Sequence, residues 1–374
     1  MSNSSPSIAL FLAQSTAGFL SFTASSIILY KILQSRTKLN SPYSRLIFGL
    51  SANDAICSLV HLFASLPVPK DTPNVWGAVG NDTTCAIQGF LYMMSGVSTP
   101  FYNLSLCIYF LCVIKYSMSD EKFSKWIEPP LHAIPLLHGL ASAIYATSTG
   151  YISPAVDRPV CFIGSSNNSK EDEKFAKLLF MILVMLPMAI IFLGIAILMG
   201  IIFWKVWSQN RWMDRYRFQA PASSGNTSSK NGATSSSPTA STTSGTTSPR
   251  YQRFQVNSTR INRRVQAAKS KATLYFSCIL LIYGPFFLWG GGVLKHALPF
   301  ICIVWFLFPL QGVFNILIHL HPHVQTIGRS NPEHCYLRRF YTALVTYDSL
   351  TDQRATSTTR PRRNSRIVVR TSQP

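Results

Sequence analysis

Charge is in short supply in this chain, and acidic charge most of all. Only 13% of the residues are charged, against roughly 25% in soluble domains. That shortage argues against a water-soluble globular domain. Lys and Arg outnumber Asp and Glu by 34 to 14, yet they are missing from the interiors of the long apolar stretches and collect at their flanks. Such a distribution reads as membrane orientation, so no nucleic-acid partner is expected. Lys and Arg are also missing from Met1–Ser7, which excludes the charged n-region of a cleaved signal peptide. The apolar stretch that follows is too long for an h-region and reads as an uncleaved span. No internal repeat is evident, which argues against the duplicated architectures of many transporters.

What is present is a series of apolar stretches. Crossing ~30 Å of hydrocarbon takes about 20 helical residues. Ile8–Tyr30, Leu46–Leu66, Ala86–Ile114, Leu178–Trp204, Ala272–Leu294 and Leu298–Leu320 all qualify. A weaker stretch, Ile127–Tyr151, contains Glu128, Pro129, Pro130, Pro135 and two His. It is counted as the fourth span, because omitting it would put the next loop on the wrong side. The expected fold is an all-α membrane protein, a seven-transmembrane helix bundle spanning residues 8–320 with residues 1–7 outside. With that orientation 28 Lys and Arg face inward and six outward. The first inner loop (Lys31, Arg36, Lys38, Arg45) already decides the direction against an N-terminal segment with none. The sequons at Asn3, Asn81 and Asn167 fall in outer segments and are candidate glycosylation sites.

Five of the eight cysteines lie within spans and read as small buried hydrophobes. Cys85 and Cys161 alone face the oxidising side. A bridge between them would tether the second outer loop over the bundle, two unpaired thiols being the alternative. Cys335, shortly after the last span, is a candidate for acylation. The third inner loop, 205–271, is low in complexity between Ala220 and Arg250 and is expected to be largely disordered, with helical basic ends. Those basic ends suit anionic lipid or a protein partner. The cytoplasmic tail, 321–374, opens with an expected amphipathic helix over 332–345 lying on the inner leaflet. Arg362-Arg-Asn-Ser365 would suit a kinase that prefers basic residues.

Asp54 is the one acidic residue deep in a span. Such a group normally faces the bundle interior with a partner. With no Lys or Arg mid-span, the candidates are Asn53, Asn103, Ser105, Asn315 or water. It reads either as an element that biases two helix packings or as a polar residue that fixes register. Pro285, with Gly284 and Gly290–Gly292 nearby, should kink the sixth span; Pro187 and Pro309 should do so in the fifth and seventh. His319, His321 and His323 alternate, which on a helix does not converge on one face, and a break is expected at Pro322. No metal or cofactor is expected.

These motifs resemble those of G-protein-coupled receptors over roughly Ala17 to Tyr341. Leu50-Ser-Ala-Asn-Asp54 is similar to the receptor pattern with an Asp in mid-helix. Cys85-Ala-Ile-Gln-Gly-Phe90 is similar to the cyclic-AMP-receptor-like group, in which such a Cys bonds to the second outer loop, here Cys161. Phe308-Pro-Leu-Gln-Gly-Val-Phe-Asn315 resembles the Leu-Gln-Gly-x-x-Asn signature of that group and of secretin-like receptors. The chain departs from rhodopsin-like receptors in two places. Ile114-Lys115-Tyr116 stands for Asp/Glu-Arg-Tyr, and Asn315-Ile-Leu-Ile-His319 for Asn-Pro-x-x-Tyr.

The resemblance implies a plasma-membrane receptor that passes an extracellular signal to a heterotrimeric G protein by helix rearrangement. Kinases and arrestin-like proteins would act at the third inner loop and tail. Lys115, Tyr116, Arg211, Arg263 and Arg264 are the expected G-protein contacts. Tyr92, Trp289 and Trp305 are candidates for lining a ligand pocket, although aromatics near the outer ends also form interfacial belts, the role expected for Trp76. The ligand's identity is not legible. A transporter or channel is the alternative, with Asp54 its only support. A retinal photoreceptor would need a mid-span Lys and has none. No His/carboxylate constellation points to an enzyme.

Overall fold

In the computed structural model, residues 4–35, 38–155, 158–165, 169–219, 270–288 and 298–347 are described. Helix α1 covers Ser4–Gln34, α2 Pro42–Phe63 and α3 Asp82–Ile114. Short α4, Asp120–Trp126, leads into α5, Glu128–Ser148. A β-hairpin follows, β1 Ile152–Ala155 against β2 Arg158–Ile163. Then come α6 (Lys170–Phe180), a π-helical turn at Met181–Met185, and α7 (Leu186–Gln219). Helix α8 covers Ser270–Leu288. Helices α9 (Leu298–Leu307) and α10 (Gln311–Ser330) are joined by a 3₁₀ turn, Phe308–Leu310, and α11 covers Tyr336–Val345.

The helix starts are written locally. Ser41 accepts the Ser44 N–H, and Pro42 takes the first helical position of α2, where its missing donor costs nothing. Asn81 and Thr84 form a reciprocal capping box at the start of α3.

Among the described residues six helices are long and apolar enough to cross a membrane: Ser7–Gln34, Pro42–Phe63, Asp82–Ile114, Lys170–Lys205, Ser270–Leu288 and Pro299–Ser330. Helix α5 falls below that standard, because Glu128, the prolines and the histidines dilute its apolar content. Its 21 residues still reach about 30 Å, and it packs along α3 with the rest of the bundle.

Polarity is arranged inside out. Gln14, Ser21, Ser51, Asp54, His61, Ser95 and Asn103 are buried, while Leu137, Leu186, Ile190 and Leu193 point outward. A surface of that kind is stable against hydrocarbon rather than water.

Several boundaries differ from expectation. The seventh span continues past Leu320 and through Pro322 to Ser330, so no break occurs at Pro322. Thr326 Oγ1 donates to the Pro322 carbonyl within this last stretch. Helix α7 runs on to Gln219, through the stretch at the start of the third inner loop that is expected to be helical. Helix α11 starts at Tyr336 rather than at 332, behind a turn containing Pro332 and with Cys335 as its N-cap residue. The β-hairpin had no counterpart in the sequence reading. The low-complexity part of the third loop and the end of the tail lie outside the described residues.

Candidate functional site

The middle of the bundle holds a buried polar junction. Asp54, on α2, accepts hydrogen bonds from Asn315 Nδ2 on α10 (2.5 Å) and from Thr99 Oγ1 on α3 (3.3 Å). Among the partners weighed for Asp54, Asn315 is the one that meets it. Asn53 instead donates to its own helix at the Gly49 carbonyl, and Ser105 turns to backbone carbonyls. Thr99 escaped notice, because a Thr in an apolar helix carries no signal until the neighbouring helix is in place.

The stretch around Asn315 bonds directly to three other helices, α1, α2 and α8. Gln311 Oε1 accepts from Tyr283 Oη of α8 (2.7 Å). The Gly312 N–H donates to Ser21 Oγ of α1 (3.0 Å), and that hydroxyl also accepts from Ser58 of α2 (2.9 Å). Position 312 must be glycine here, since a Cβ would overlap Ser25 Oγ and crowd Ser21. The Leu-Gln-Gly-x-x-Asn stretch is thus where α10 docks onto α1, α2 and α8, with Thr99 of α3 completing the ring through Asp54. Pro309 sits in the 3₁₀ turn that sets up this docking, and Pro187 is the second residue after the π turn, in the first turn of α7. Both prolines therefore stand where the helix geometry changes. Around Pro285 the backbone stays helical to Leu288.

Proline also explains α5. Pro135 has no N–H, so the Leu131 carbonyl one turn earlier is left over. Ser105 of α3 reaches that carbonyl (3.1 Å), and Ser98 donates to the Pro135 carbonyl (2.7 Å). Glu128, which weakened this helix in the sequence, is buried and paired with Arg45 at the start of α2. Arg45 donates to both carboxylate oxygens, Nη2 to Oε2 at 2.6 Å, and also to Ser124 Oγ (2.7 Å) and the Leu39 carbonyl (2.6 Å).

At one end of the bundle Cys85 and Cys161 form a disulfide that fixes β2 to the start of α3. Gln88 reinforces it: its Nε2 donates to the Ala64 carbonyl (2.6 Å), and its Oε1 accepts from the Cys161 N–H (3.0 Å). Phe162 then lies on Tyr92 (4.7 Å between centroids). Tyr92 and Trp305 are both buried and flank His61, at 5.0 and 6.2 Å. His61 Nδ1 shares a 2.5 Å hydrogen bond with Gln14 Nε2. These residues make a buried aromatic cluster under the hairpin. Trp289 lies outside the described residues, and Trp76 packs edge-on against Phe11 (4.8 Å). An apolar recess of about 490 Å³ opens sideways between α2 and α3 near this end, with Thr84 and Gln88 in its wall.

The opposite end carries Lys115 and Tyr116, both exposed, the ammonium 5.3 Å from the ring centroid. Arg211 falls on the helical backbone of α7; Arg263 and Arg264 lie outside the described residues. Asn81 is exposed, and its Oδ1 accepts the Thr84 N–H as part of the capping box; Asn3 and Asn167 lie outside the described residues. His319 and His323 are buried on one face of α10, whereas His321 pairs with Gln325. Among the described residues no group of three or more His, Cys, Asp or Glu is gathered to hold a metal.

The chain shares its fold with squid rhodopsin. The two superpose with a TM-score of 0.52 over 88% of this chain and 80% of the rhodopsin chain, at 14% sequence identity. No family model matches the chain, and no curated protein matches it.

Proposed function

We propose that the chain is a G-protein-coupled receptor of the cyclic-AMP-receptor-like kind. It crosses the plasma membrane seven times, with its N-terminus outside and its C-terminus in the cytosol. The observation that carries this reading is the junction at Gln311, Gly312 and Asn315, set in a helix bundle with the fold of squid rhodopsin. A buried carboxylate at a crossing of three helices suits a switch between two packings, because its hydrogen bonds change discretely when one helix moves. The outward face of α5 supports a seventh crossing: Ile134, Leu137 and Ile144 are exposed there and need hydrocarbon. The disulfide end is then extracellular, and the ligand binds toward that end, against the aromatic cluster of His61, Tyr92 and Trp305. Lys115, Tyr116, Arg211, Arg263 and Arg264 face the G protein, with kinases and arrestin-like proteins acting on the third loop and tail. Asn3, Asn81 and Asn167 lie on the glycosylated side.

The test is a ligand screen on purified receptor coupled to nucleotide exchange on a panel of G proteins, with epitope tags on both termini. A receptor of this kind accelerates exchange on at least one G protein, and only its N-terminal tag labels on intact cells. Solute flux in proteoliposomes without G-protein activation would replace the receptor by a transporter or channel.

A further inference from the structure

At the end of the bundle opposite the disulfide, the chain folds back on itself. Helix α10 leaves the bundle and ends at Ser330, and α11 returns along it. The return is antiparallel. Arg339 crosses Gly328, where any Cβ would press on its guanidinium (2.8 Å), and donates to the Pro332 carbonyl (2.5 Å). Ala343 is fully buried one turn later. Tyr347 then arrives beside residues of α10 that precede Gly328.

Tyr347 is only 7% exposed. Its hydroxyl shares a 2.9 Å hydrogen bond with His319 Nε2. Its ring lies 5.5 Å from that of His319 and meets His323 edge-on at 5.3 Å. His319 is also stacked on Tyr43 at the start of α2 (6.1 Å, 6° between planes). Tyr43 in turn carries the Lys271 ammonium of α8 over its ring at 4.0 Å and faces Phe110 of α3 at 6.2 Å. One aromatic stack therefore ties the tail, the seventh helix, the second helix and the foot of the sixth.

We propose that Tyr43, His319 and His323 line a pocket for a single aromatic side chain, and that Tyr347 fills it from within the chain as an autoinhibitory latch. A protein partner that inserts at this end must displace Tyr347, and the segment it inserts would present an aromatic or large aliphatic side chain to the same pocket. The inference rests on the receptor reading given above, because it needs a partner at this end. It adds a competitor for that partner that the chain itself supplies. Opening the latch removes the stack's support from His319 and so loosens Tyr43 against Lys271, at the helix foot that must move for a partner to enter.

The test compares full-length protein with Tyr347→Phe and Tyr347→Ala. Tyr347→Phe keeps the ring and loses one buried hydrogen bond, so the variant is expected to fold as the parent does. Hydrogen–deuterium exchange over residues 336–347 reads the latch with no partner present. Binding of nucleotide-free G protein, without ligand, reads its consequence. Tyr347→Phe should raise both by about fivefold, the equilibrium factor for one hydrogen bond, and Tyr347→Ala by about tenfold or more. Unchanged exchange over 336–347 overturns the latch. Faster exchange with G-protein binding equal to the parent's overturns autoinhibition while leaving the receptor reading intact. If parent and variants bind no G protein of the panel, with or without ligands from the screen, the receptor reading fails and the inference fails with it.

Discussion

Replacing one member of the Arg45–Glu128 pair should be far more damaging than replacing the other. Glu128 keeps 7% of its side-chain surface exposed and Arg45 keeps 30%. In Arg45→Met the carboxylate loses its guanidinium bonds and stays buried, with the His132 imidazole at 3.7 Å, a group that is charged only when protonated. Breaking a buried pair from that side costs about 3 kcal/mol. In Glu128→Leu the guanidinium still has the Leu39 carbonyl and Ser124 Oγ, and its exposed part reaches water, so the loss should be about 1 kcal/mol. The double variant Arg45→Met/Glu128→Leu puts apolar groups of similar length where the pair was. It should fall within about 1 kcal/mol of the parent, a coupling of about 3 kcal/mol between the sites. The assay is thermal unfolding of detergent-purified protein with a thiol-reactive dye. The dye reports exposure of Cys57, Cys107 and Cys112, all buried in the fold. The midpoint should drop by roughly 5 °C or more for Arg45→Met and by about 2 °C for Glu128→Leu. The reasoning is refuted if Glu128→Leu is the worse single variant, or if the double variant loses as much as the two singles together.

Three further outcomes follow from the same geometry. Asn315→Ala should lower stability by about 1.5 kcal/mol and Thr99→Ala by about 0.5 kcal/mol, in the order of their 2.5 and 3.3 Å distances to Asp54; the same unfolding assay ranks them, and a reversed order would remove Asn315 as the main partner. Gly312→Ala should destabilise by about 1–3 kcal/mol through overpacking. Ser25→Ala should restore part of that loss, since Ser25 Oγ is the nearest obstacle and the Ser21 backbone remains; no rescue would mean that another contact sets the limit. Cys161→Ser should cost about 2–4 kcal/mol and reduce surface expression, measured by flow cytometry, whereas Gln88→Ala should reduce it less because the disulfide still holds β2.

Sequence patterns located the helices well where composition alone decides. Long apolar runs bounded by basic residues need only the length of the bilayer to be read, and six of them return as long apolar helices. Asp54 announced itself by being costly in hydrocarbon, and the same cost demands a partner. Which partner it has depends on the rotation of α2 against α3 and α10. Asn315, 261 residues away, stood out only because an Asn in an apolar helix is itself conspicuous. Thr99, Ser21 and Tyr283 are unremarkable in one dimension, and they became neighbours of the junction only through helix packing. Glu128 and Pro135 made the fourth stretch the weakest of the series for a related reason. Each counts against a membrane helix alone, yet Arg45 neutralises the first and the α3 serines serve the carbonyls around the second. The length of the seventh helix was underestimated because Pro322 was given its usual weight as a breaker. Tyr347 carried no signal, since an isolated tyrosine after an amphipathic stretch is ordinary until the chain turns back.

The docking of Gly312 on Ser21 has a consequence for anyone altering this protein. The donor from α10 is a main-chain amide, which every residue but proline supplies. Identity at 312 therefore matters only through bulk, while identity at 21 matters through its oxygen. Positions 21 and 25 can therefore be varied together around a fixed Gly312, but the Ser21 main-chain carbonyl, 2.6 Å from where a Cβ at 312 would stand, keeps that position glycine as long as the two helices hold their present spacing.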